Sequence, residues 1–222
     1  MPEVYQFADR ADAGRRLADV LAREPVERPV ILAIPRGGVA VGTEIAARLG
    51  AELDLLFVRK IGAPWNHEVA IGAVAGCSAP QTVFNSDLLA CSGATRAYVE
   101  TEVALQIAEI DRQRIAYLGG RSAVALEGRN VIVTDDGVAT GATLAAGLKA
   151  LRLQRVHSIT LAIPVAPPEA IELLSVSADR VVCLLRPHDF RAVGPHYLDF
   201  AQVSDGEVID ALTRATGYPD NP

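Results

Sequence analysis

Two adjacent aspartates, Asp135 and Asp136, follow the apolar run 131–133 and its closing Thr134, and precede a loop of small residues, Gly137-Val138-Ala139-Thr140-Gly141-Ala142-Thr143. Three β-branched residues in a row predict a buried strand, and the residues after the loop predict a helix from about Leu144. Gly137, Ala139, Gly141 and Ala142 leave the backbone bare, so that successive N–H groups can turn toward one anion at the positive end of that helix. Thr140 and Thr143 add hydroxyl donors, and the guest such a cradle suits is a phosphate monoester. Paired carboxylates would repel a phosphate unless they engage something else, either vicinal hydroxyls or a hydrated Mg²⁺. A sugar phosphate with a free diol satisfies both halves. An ordinary strand-to-helix turn needs the small residues but has no use for two acids and two threonines. A Walker loop is excluded because Ala142-Thr143 stands where Lys-Ser/Thr is required, and the dinucleotide pattern G-x-G-x-x-G is absent.

A second anion-binding turn is Ile34-Pro35-Arg36-Gly37-Gly38, where glycine amides and an arginine able to bond two oxygens at once suit a pyrophosphate. A third group, residues 59–70 (RKIGAPWNHEVA), lacks periodicity and reads as a long exposed loop carrying Arg59, Lys60, His67 and Glu68.

The elements that must position these groups alternate strand and helix. Asp9 or Asp12 caps a first helix with Ala13, Leu17, Val20 and Leu21 on one face. A strand at 30–34 feeds the Arg-Gly-Gly turn and a helix closed by Gly50, and the next strand is expected at 53–58. A hairpin follows at 71–75 and 81–85, then a helix over about 94–118 with Val99, Val103, Ile107, Ile110 and Tyr117 at helical spacing. After the signature loop come a helix to about 153, a strand at 158–163, a helix begun by Pro167-Pro168, a strand at 180–185, and a last helix at 207–215 opened by the capping box Ser204/Glu207. This order predicts an α/β fold with a mainly parallel, doubly wound sheet, whose ligands sit beyond the carboxyl ends of the strands.

With 222 residues, half of them hydrophobic, the chain is expected to be a single domain over 1–222, its core at about 28–185. Sparse aromatics, 5%, favour helices on a parallel sheet over a β-sandwich. A net charge of −6 argues against nucleic acid as the main partner, so a phosphorylated ligand must be met by local positive groups. Three scattered cysteines form neither a disulfide framework nor a zinc motif. The first residues mix acids and arginines, and no run reaches membrane-spanning length; a cytoplasmic protein is expected.

The hydrophobic run, twin acids and small Thr-Gly loop resemble the 5-phosphoribosyl 1-pyrophosphate (PRPP) signature of type I phosphoribosyltransferases. IPRGG resembles the xanthine enzyme's SRGG, a pyrophosphate loop that often holds a non-proline cis peptide. Arg59-Lys60 resembles the start of the lid in adenine and orotate enzymes, with Ala63 near the place of their second lysine. The segment 189–200 is similar to DKFVVGYALDY of hypoxanthine-guanine enzymes, with one extra residue before the glycine. IPRGG, RKxGAP, DDGxATGAT and AVGxxYxDF together are most similar to a bacterial group of phosphoribosyltransferases of unsettled acceptor.

The resemblance implies a type I fold with a small hood from about 186–203 and the terminal segments, a lid at about 59–70, and usually a homodimer. It implies transfer of the phosphoribosyl group of PRPP to a nitrogenous base, with release of Mg²⁺-pyrophosphate. Pro35, Arg36, Gly37, Gly38, Arg59 and Lys60, with residues 135–143, would bind PRPP; Asp135, Asp136 and Asp199 would approach Mg²⁺; and Phe190 would cover the acceptor. Asp135, Asp136, Arg36 and Lys60 form the implied catalytic set, with Glu68 roughly where the adenine enzyme carries its general base. Ala139 replaces the aspartate that handles purine N7 in hypoxanthine-guanine enzymes, which disfavours a 6-oxopurine. A PRPP-sensing regulator without transferase activity, and a sugar-phosphate hydrolase, remain as alternatives.

Overall fold

The computed structural model describes residues 6–77 and 80–216. Five short apolar strands, β1 (Pro29–Ala33), β2 (Glu52–Leu55), β6 (Asn130–Thr134), β7 (Ser158–Val165) and β8 (Arg180–Leu185), pair in parallel in the order β2-β1-β6-β7-β8. Alternation along each strand sends side chains to two faces. Ile31, Ala33 and Ile132 pack with α1 (Arg10–Leu21), α2 (Gly37–Leu49), α4 (Arg96–Leu118) and α7 (Asp205–Thr216). Val30, Leu32, Val131 and Val133 pack with α5 (Ala142–Leu153) and α6 (Pro168–Ser175) on the other face.

Local chemistry sets most helix ends. Asp9 caps α1 by accepting from the Asp12 amide at 2.6 Å, while Asp12 accepts from Ala8. Gly50 closes α2 at φ 59°, a conformation glycine adopts without penalty. The capping box opens α7 as expected, Ser204 and Glu207 bonding each other's amides at 2.8 and 3.2 Å.

The chain runs outward in one direction from β1 to β2, and in the other from β6 through β7 to β8. The carboxyl ends of β1 and β6 therefore lie at the point where the winding reverses, with Ala33 opposite Thr134.

Two expectations need correction, and one element adds to them. The exposed loop at 59–70 is a hairpin: β3 (Phe57–Ala63) and β4 (Asn66–Gly76) pair antiparallel around Pro64-Trp65, and β5 (Gln81–Phe84) adds a third strand. Register shifts at Ile61 to Ala63 break the alternation that would have revealed β3. The single strand at 53–58 is two, because after Leu55 the chain leaves the parallel sheet; the Leu56 amide donates to Ala33 O at 3.0 Å and β3 then begins. A short helix, α3 (Ser86–Cys91), capped by Asn85, was not foreseen. The long helix α4 lies against the body through Ile110, Tyr117 and Leu118, and leaves Leu105 and Ile115 exposed.

Residues 186–203 hold one 3-10 turn, Gly194–His196, and are tied to the amino-terminal segment. Phe7 bridges Tyr197, its amide donating to His196 O at 2.9 Å, and Phe7, Val165 and Tyr197 form a small separate core.

Candidate functional site

The two anion turns touch. A Cβ added to Gly37 would lie 1.9 Å from an Asp136 carboxylate oxygen, and one on Gly38 would lie 2.8 Å from Thr134 O. Glycine is thus required by the closeness of the turns rather than by the start of a helix. The Pro35–Arg36 peptide is cis.

Asp136 is fixed from three sides. The Arg10 Nε donates to its Oδ2 at 2.7 Å, the guanidinium lies 3.9 Å over the Phe200 ring, and Arg10 Nη1 donates to Ala201 O at 2.8 Å. The Tyr197 hydroxyl donates to Asp136 O. The Asp136 amide in turn donates to Asp135 Oδ1 at 2.8 Å. Burial, and then the charge of Asp136, hold the Asp135 carboxyl well above the usual carboxylate range, with the Asp136 amide and Arg10 acting in opposition. The pair is therefore asymmetric: one acid is paired with an arginine, the other is desolvated.

Beyond the acids, Gly137 lies so close to Val193 that an added Cβ would meet it at 2.6 Å, which puts the segment 186–203 against the loop. The Val138 amide is used internally, donating to Val165 O at 3.0 Å. Gly141 precedes α5 at φ 74°, and no side chain caps the helix. Its first-turn amides thus lack an intrahelical partner, and Ala139, Thr140, Ala142 and Thr143 are exposed beside them.

Arg59, Lys60 and His67 of the hairpin share a cavity of about 470 Å³ with Thr143, so the basic pair does face the signature loop. Arg59 donates to Gln106 at 3.3 Å and Tyr98 donates to Gly62 O at 3.0 Å, which moors the hairpin to α4. Lys60 pairs with Glu68 at 2.7 Å. That pairing holds the Glu68 carboxyl below its usual range, the opposite of what a base poised near neutral pH requires.

Phe190 stacks on His196 with ring centroids 5.6 Å apart and packs beside the Phe7 core. Asp199 is exposed and accepts from the Ala201 amide at 3.0 Å. Among the described residues no three His, Cys, Asp or Glu side chains group as metal ligands, so Asp199 does not join the twin acids in a cage. The donor set fits a Mg²⁺ ion that arrives with substrate oxygens and water and takes one or two carboxylates from the protein. A cavity of about 940 Å³ lies by Gly50, Glu52 and Arg121 and includes none of these residues.

Sequence reasoning missed Arg10. One of three arginines in a helix that also carries Arg15 and Arg16 gives no signal, since only the fold brings it to Asp136. Tyr197 and Phe200 lay within a segment already singled out, yet the hydroxyl's reach to the signature loop was not readable from spacing.

A family model for the phosphoribosyl transferase domain matches residues 3–199. Two proteins of Mycobacterium tuberculosis, strains CDC 1551 and H37Rv, provisionally named as phosphoribosyl transferases, are each 39% identical over 209 residues, covering 94% of this chain and 47% of theirs. The chain therefore spans about half the length of the curated relatives it matches. The solved structure of TT1426 from Thermus thermophilus superposes with a TM-score of 0.84 at 43% identity, covering 94% of this chain and 98% of that one. With both turns at the strand ends and this match over most of its length, the chain belongs to the phosphoribosyl transferase domain family.

Proposed function

We propose that the chain transfers the 5-phosphoribosyl group of PRPP to a nitrogenous base and releases pyrophosphate. The observation that carries this reading is the contact between the two turns, with Gly37 against the Asp136 carboxylate. One molecule with a monophosphate at one end, a diphosphate at the other and a diol between them is what such a pair of turns can grip. Residues 139–143 would take the 5'-phosphate through open amides and the two threonine hydroxyls. Asp135 and Asp136 would hold the ribose hydroxyls, and Arg36 to Gly38 the diphosphate.

Bond cleavage at the anomeric carbon develops positive charge on the sugar, and carboxylates fixed beneath it stabilise that charge without reorganising. Arg10 holds Asp136 in place for this purpose. Magnesium bound with the diphosphate would neutralise the leaving group, Asp135 and Asp136 being the residues that fit it. The basic hairpin face and the segment 186–203 would exclude water from the reacting carbon.

The Lys60–Glu68 pair supports a second reading, a PRPP-responsive regulator, because it occupies both lid groups assigned to catalysis. Incubation with PRPP, Mg²⁺ and a panel of bases, followed by pyrophosphate release, separates the two. A transferase releases pyrophosphate only with the right base, whereas a regulator binds PRPP and releases none. In a transferase, Asp135→Asn with Asp136→Asn abolishes the release while the protein stays folded; unchanged kinetics in that double variant would refute the site.

A further inference from the structure

Arginines from three elements meet beside the diphosphate turn. Arg36, Arg59 of β3 and Arg112 of α4 line one cavity of about 330 Å³, together with Pro35, Tyr117 and Asp205. Arg36 lies 3.6 Å from the Asp205 carboxylate, which also accepts from the Tyr117 hydroxyl at 2.8 Å. Arg112 donates through Nε and Nη2 to Glu109, both at 2.8 Å, which fixes its fork and leaves three of its five N–H donors. Arg59 donates to an amide oxygen, that of Gln106, and its charge acts on the nearby Glu109 carboxylate without a direct ion pair to it. Among the residues that line the cavity three arginines stand against one carboxylate, Asp205, while Glu109 pairs with Arg112 from the same helix, beside a turn whose glycine amides already suit a diphosphate.

A surface helix commonly carries an arginine paired with an acid three residues away, and Arg112 with Glu109 would be unremarked anywhere else on α4. Its place in the cavity that opens on Pro35 and Arg36 sets it apart. We infer that Arg112 is a diphosphate-binding residue, and that α4 with Arg59 forms the outer wall of the leaving-group subsite. The inference rests on the phosphoribosyl reading above. Asp205 acts against it: its carboxylate holds Arg36 in the free protein and repels the incoming diphosphate.

Calorimetric titration of the whole chain with Mg²⁺-pyrophosphate, Mg²⁺-PRPP and ribose 5-phosphate tests this. Arg112→Gln removes an exposed pair that contributes little to folding, so the variant folds. It should weaken pyrophosphate and PRPP about 10- to 100-fold, the loss expected for a charge-assisted bond to phosphate, and leave ribose 5-phosphate within about twofold. Arg112→Lys should fall between, because it keeps the charge and loses the fork. Asp205→Asn should tighten both diphosphates. Diphosphate affinities unchanged in Arg112→Gln, or ribose 5-phosphate weakened equally, would overturn the assignment while leaving the phosphoribosyl reading intact. Wild-type protein that takes up neither PRPP nor ribose 5-phosphate would overturn that reading itself.

Discussion

Arg10 and Asp136 are 126 positions apart and largely buried together, with side-chain exposures of 12% and 16%. Removing one partner of such a pair strands a charge, so Arg10→Gln should destabilise the fold by about 3 kcal/mol in urea unfolding, and should weaken PRPP binding as Asp136 loses its anchor. A variant as stable as wild type would show that the ion pair is idle. Asp135 makes the opposite case. Its folded pKa is raised above the unfolded value near 3.8, so its contribution to stability is complete below that value and is lost as pH rises through the folded pKa. Asp135→Asn cannot ionise. It should therefore flatten the pH dependence of unfolding above about pH 4 and raise stability relative to wild type at the upper end of that range. The acids themselves were legible as a motif, because their chemistry depends on adjacency in sequence. Arg10 was not, because its chemistry depends on adjacency in space.

At the scale of elements, the turns are made of residues chosen for what they leave out. Gly37→Ala would drive a methyl group into the Asp136 carboxylate that Arg10 pins, so it should cut PRPP affinity at least about tenfold in calorimetry. Gly38→Ala meets backbone instead, at Thr134 O, and should cost stability by about 1–3 kcal/mol. The strands and helices of the large sheet were readable because their apolar residues recur at clean periods and their ends carry Asp9, Gly50, Pro168 and Ser204. The hairpin of β3 and β4 was not. Its basic pair, its bulge and the close crossing at Gly62, where an added Cβ would meet His67 at 2.5 Å, erase the alternation by which a strand is recognised.

For the molecule as a whole, the hairpin tip offers its own reporter. Trp65, the chain's single tryptophan, is 65% exposed at the turn between β3 and β4. If the hairpin folds down over bound PRPP and Mg²⁺, tryptophan emission should shift to the blue on binding, with no shift for ribose 5-phosphate alone; identical spectra would mean that the hairpin stays where α4 moors it. The fold class followed from strand-helix alternation, and the β4–β5 pair of the small sheet from the hairpin pattern at 71–75 and 81–85, whereas β3 did not, since nothing local marks the change from parallel to antiparallel pairing at Leu56. The central pairing of β1 with β6 has a kinetic outcome too. Pro29 lies opposite Asn130, about a hundred residues later, with the hairpin and α4 in between. A ribosome-bound chain that ends before β6 can form β1, α2 and β2 but has no cleft. Ligand capture should therefore appear late in refolding, after secondary structure, as the slow closure of a long loop dictates.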